Sequence, residues 1–110
     1  MSPILLFAFA LALGTPLWLV ANWFRPRLEG RERVVMQWGL DLKPNSYARP
    51  MLALSATPAL ATAVLLLIAI LASVSAPPAE RGMALWGMIA CSLAFTAVHA
   101  AHMHFAAKAE

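Results

Sequence analysis

RPRLEGRERVVMQWGLDLKPNSYAR, residues 25–49, decides how this chain is read. It holds six of the eight Lys and Arg residues, and long runs without charge lie on both sides. Ile4 to Phe24 contains no Asp, Glu, Lys, Arg or His, and neither does Met51 to Ala79 or Met83 to Val98. An α-helix needs about 20 apolar residues to cross roughly 30 Å of hydrocarbon. Each run supplies or approaches that length. The predicted fold is all-α and integral to a membrane, with three transmembrane helices near residues 4–24, 51–74 and 83–106. The basic stretch forms the loop between the first two.

Composition agrees. Of 110 residues, 62% are hydrophobic and 12% charged, against about 25% charged in a soluble domain. The length allows one domain, residues 1–110. A net charge of +3 raises nucleic acid as a partner. The basic residues cluster beside helix ends, however, which is the pattern of membrane orientation and contact with anionic headgroups. Arg25, Arg27, Arg31, Arg33 and Arg49 are the headgroup candidates, and no nucleic-acid role is expected. A single cysteine, Cys91, excludes an internal disulfide framework. The first run lacks a basic leader and exceeds the apolar stretch of a signal peptide, so it reads as a retained helix.

Several residues punctuate the helices. Pro16 removes a donor to the Ala12 carbonyl and predicts a kink, with Thr15 or a neighbouring helix satisfying the freed group. Trp23 stands where an interfacial anchor belongs, and Trp18 lies deeper, suited to packing on another helix. Arg25-Pro26-Arg27 predicts the end of the first helix. In the loop, Met36, Trp38, Leu40 and Leu42 alternate as in a strand, while Leu28, Val35 and Leu42 recur at a helical spacing of seven. Both alternatives stay open. Lys43-Pro44-Asn45-Ser46 is a turn signal. Ala76–Gly82 is a turn short enough to force an antiparallel hairpin of helices. Ser55, Ala59 and Ala63 form one stripe of small residues. Gly87, Cys91 and Ala94, extended by Ala97 and Ala101, form another. Such stripes let helices approach closely in lipid.

The first loop carries six basic residues and the second only Arg81. The positive-inside rule puts residues 25–49 and the C-terminus, with Lys108, in the cytoplasm and Met1 outside. The expected location is a bacterial inner membrane.

All three histidines lie in Val98-His99-Ala100-Ala101-His102-Met103-His104. His99 and His102 share a helix face, and His104 points away from it. The first two are candidates to bind a metal or porphyrin. Glu29, Glu32 and Asp41 sit in the loop on the same side. Against this, histidines suit a helix end at the interface. No paired carboxylates, nucleophilic triad, phosphate loop or CxxC is present, and no charged residue lies mid-span, so neither an enzyme nor an ion-coupled transporter is expected.

The stretch VMQWGLDLKPNSY, residues 35–47, followed by a helix with an early proline at Pro58, resembles the N-terminal membrane domain of the SdpI-like family. Trp38, Pro44, Asn45 and Tyr47 stand in the register of that family's loop. Val35, Gln37 and Leu42 replace its proline, histidine and glycine. The resemblance implies a three-helix unit and a role in toxin immunity or signalling, and it assigns no catalytic residue. The expected function is therefore that of a non-enzymatic membrane protein acting by protein contact. It would be an accessory subunit of a larger complex, a self-associating protein or an SdpI-like immunity protein. The alternatives are cofactor binding at His99 and His102, or a basic surface that holds anionic lipid.

Overall fold

A computed structural model describes the backbone of residues 2–28, 30, 34–38 and 44–108, and the side chains of 2–28, 30 and 49–108. Three helices dominate it: α1 (Pro3–Leu28), α2 (Pro50–Ser75) and α3 (Arg81–Lys108). Each is long and apolar enough to cross a membrane. At 1.5 Å per residue, α1 and α2 are about 39 Å long and α3 about 42 Å. The surplus over the hydrocarbon thickness carries the charged ends into the headgroup layers.

Local chemistry sets the ends. Ser2 caps α1: its Oγ accepts from the Leu5 amide at 3.3 Å, and Pro3 follows where no donor is needed. Contrary to expectation, α1 does not stop before Arg25-Pro26-Arg27 but continues to Leu28. Two forces explain this. Leu28 is fully buried against Leu54 and Met103, which anchors the last turn. Arg25 and Arg27 also place positive charge at the negative end of the helix dipole. Arg27 lies over the Trp23 ring, 4.9 Å from its centroid. At the far end of α2, Arg81 donates from Nε to the Ala72 carbonyl at 3.3 Å and from Nη2 to Ser73 at 3.0 Å. The Ala72 carbonyl also accepts from the Ala76 amide at 3.2 Å, whereas the Ser73 carbonyl faces Pro77, which has no amide hydrogen to give, so the arginine supplies the missing donor there. A short 3₁₀ turn, Pro78–Glu80, completes the connection to α3.

The loop between α1 and α2 contains an antiparallel pair, β1 (Val34–Trp38) and β2 (Pro44–Ala48). Met36 and Trp38 thus lie in a strand, while Leu40 and Leu42, on which the strand alternative also rested, lie outside the described residues. Pro44, Asn45 and Ser46 belong to β2 rather than to a turn, and Trp38 pairs with Pro44. A proline is tolerated at the first residue of a strand because it need not donate there.

The core has two apolar clusters. Toward the basic loop, Ala21 and Leu28 meet Ala53, Leu54, Met103 and Ala106. Toward the other end, Leu6 and Ala10 meet Leu65, Ala69, Ala72 and Met88. Between them α1 and α2 approach closely at Gly14, where an added Cβ would lie 3.0 Å from Thr62 Oγ1. Thr62 donates to the Pro58 carbonyl at 2.8 Å and accepts from Trp18 Nε1 at 3.1 Å. Trp18 thus packs on another helix, as expected.

Candidate functional site

The two buried polar side chains among the described residues, Ser92 and His99, both lie on α3. Ser92, Thr96, His99 and Met103 follow one another at spacings of four, three and four, which keeps them on one side of the helix. Ser92 Oγ donates to the Leu13 carbonyl of α1 at 2.6 Å. That carbonyl lies one turn before Leu17, beside the step at Pro16 where the helix ladder is interrupted. Thr15 Oγ1 donates to Leu11 at 3.0 Å, not to Ala12. The partner expected from Thr15 is therefore displaced by one residue, and a neighbouring helix supports the same stretch.

His99 is wholly buried, with neither Nδ1 nor Nε2 hydrogen-bonded among the described residues; Thr96 Oγ1 is likewise unsatisfied. This differs from a histidine at an exposed interface. His102 is half-buried, and His104 is exposed, packing edge-on against Phe105 at 5.6 Å. Among the described residues no three His, Cys, Asp or Glu side chains gather where they could hold a metal. Glu29, Glu32 and Asp41 lie outside the described side chains.

The small-residue stripes lie mostly on the outside of the three-helix unit. Ala59 and Ala63 are exposed, and Ser55 is half-buried with its hydroxyl on the Met51 carbonyl at 2.6 Å. Gly87 and Ala94 are exposed, nothing lies within 4 Å of a Cβ built on Gly87, and Cys91 is half-buried. Neither stripe forms the close contact inside the three-helix unit. That contact belongs to Gly14 on α1 and to Thr62 and Leu65 on α2. Helical periodicity identifies faces but does not say which one turns inward.

Of the headgroup candidates, Arg25, Arg27 and Arg49 are exposed at one end of the bundle, and Arg31 and Arg33 lie outside the described side chains. Arg25 opens onto a cavity of about 180 Å³ between α1 and α2. Trp18, Asn22, Met51, Leu54 and Ser55 line it as well. No family model, curated protein or solved structure matches this chain.

Proposed function

We propose that this protein is a non-enzymatic three-helix membrane protein that acts by helix contact with another membrane protein or a second copy of itself. One observation carries this reading. The third span is the least apolar of the three and also the least buried, with 17% of its most apolar window covered against 28% in each of the others. Lipid favours the opposite arrangement, in which the most apolar helix is the most exposed. The outward side of α3 carries Gly87, Ala90, Ala94, Ala97 and Ala101, all exposed and spaced alternately by three and four. That surface suits a close-packed helix better than acyl chains. An SdpI-like immunity or signalling role and an accessory-subunit role are both forms of such contact. Purification in mild detergent tests the reading. We expect a stoichiometric protein partner or a dimer, and its loss in an Ala94→Leu, Ala97→Leu variant whose own thermal midpoint is unchanged. A monodisperse single copy without partners contradicts it.

We further propose that residues 25–49 and Lys108 face the cytoplasm of a bacterial cell and that the α2–α3 turn faces outward. The six-to-one charge bias supports this. Trp23 and Trp86 are exposed near opposite ends of the bundle, as interfacial belts require. In a Cys91→Ser background, a cysteine at Ala79 will react with an impermeant thiol reagent in intact cells, and one at Gly30 will not. The reverse pattern inverts the orientation.

A second reading rests on the unsatisfied nitrogens of His99: a metal or porphyrin held with His102. Bound metal or a visible absorbance band in the purified protein, lost in His99→Ala, His102→Ala, would favour it.

A further inference from the structure

The geometry points to a binding site for one anionic phospholipid in the groove between α1 and α2. The groove sits where a headgroup site is needed, at the basic end of the bundle, with its deeper part against hydrocarbon. Arg25 and Ser55 mark its polar rim, Asn22 lies one turn deeper on α1, and Trp18 and Leu54 form its apolar wall. From Arg25 to Trp18 is about 10 Å along the helix, so one amphiphile lying against α1 meets charge first and then an aromatic surface. The volume of about 180 Å³ is comparable with cavities of about 150 Å³ that admit a benzene-sized guest. It accepts a phosphate and part of the glycerol, while the acyl chains run outside along the exposed edge of Trp18.

The polar groups select for negative charge. The Arg25 guanidinium reaches the groove wall, with Nη2 3.9 Å from Met51 Sδ. A guanidinium has five donors in a planar fork and engages a phosphate through two of them beside its other contacts. Ser55 Oγ spends its proton on the Met51 carbonyl but retains acceptor capacity for a glycerol hydroxyl. Asn22 is exposed, and its amide supplies a donor to an ester carbonyl. The start of α2 adds field of the same sign: no side chain caps it and no acidic residue lies in its first turn. A zwitterionic lipid meets the same donors but brings a cation with no described carboxylate on the groove wall.

Native mass spectrometry of the whole chain tests this. The protein is released from nanodiscs holding equal amounts of phosphatidylglycerol and phosphatidylcholine with matched tails. We expect one phosphatidylglycerol retained per chain in preference to phosphatidylcholine. Arg25→Gln should lower that retention about tenfold, the scale of a charge-assisted hydrogen bond. Ser55→Leu, which fills the groove and keeps the charge, should lower it as well. Lys108→Gln removes one positive charge at the same end and should retain the lipid. Equal retention of both lipids, or equal loss in Arg25→Gln and Lys108→Gln, would reduce the effect to diffuse charge and overturn the site. Displacement of the lipid by millimolar inorganic phosphate would also overturn it, since the site would then be one for the free ion. Two variants disrupt the site by different means, so misfolding of one leaves the other to decide.

Discussion

Gly14→Leu will disrupt the bundle, at a cost of about 3 kcal/mol or more, the upper range for overpacking a tight interior. Even the first added carbon lies 3.0 Å from Thr62 Oγ1 and 3.9 Å from Leu65 Cδ1. Thr62 cannot turn aside cheaply, because its hydroxyl is held by the Pro58 carbonyl on its own helix and by Trp18 of α1. Moving it breaks both bonds in surroundings where no water replaces them. Relief by separating α1 from α2 instead uncovers Leu17, Ala61 and Leu65, all fully buried. Gly14→Ala should fall between the two, since its gain in helix propensity of up to about 1 kcal/mol opposes the contact. Gly87→Leu is the control: nothing lies near its Cβ, and the thermal midpoint of the isolated chain should not fall. Thermal unfolding in detergent followed by circular dichroism reads all three. A wild-type midpoint for Gly14→Leu would mean that α1 and α2 do not meet at this glycine.

His99→Leu is expected to stabilise the isolated chain. An imidazole with two unpaired nitrogens in a dry core loses its hydration without recovering a hydrogen bond, at a cost of about 1–3 kcal/mol. Leucine is of similar bulk and brings no polar atom. The sign of the change separates two accounts of the same residue. A rise in thermal midpoint says that His99 is a tolerated core residue. A fall of comparable size, with loss of a metal or chromophore, says that the nitrogens have a ligand and that cofactor binding is the better reading.

The spans were legible because charge is excluded from hydrocarbon whatever the tertiary structure. Long uncharged runs bounded by arginine leave few alternatives. The ends were less legible. Pro26 reads locally as a stop, but burial of Leu28 in a contact with α2 and α3 outweighs it. The inward faces were not legible from small residues, since alanine is frequent on every side of these helices and lipid and protein are both apolar. Gly14 is recognisable only together with Thr62, a residue far away in the chain. His99 was marked by its type, and its depth was not: a histidine near a helix end reads as interfacial until the neighbouring helices cover it. In the loop, the alternation at Met36 and Trp38 and the spacing of seven through Val35 left strand and helix open, and β1 includes all three residues; Pro44 concealed the second strand because its turn chemistry is stronger than its pairing signal.

Contact through the outward face of α3 is tested most directly by a photocrosslinking amino acid placed at Ala94 and, for comparison, at Leu67 on α2, in native membranes. Both positions are exposed on the isolated chain. The expected result is a discrete protein adduct, either a distinct partner or a second copy, from Ala94 and only lipid adducts from Leu67. Lipid adducts alone from both positions would contradict it and leave α3 as a lipid-facing helix.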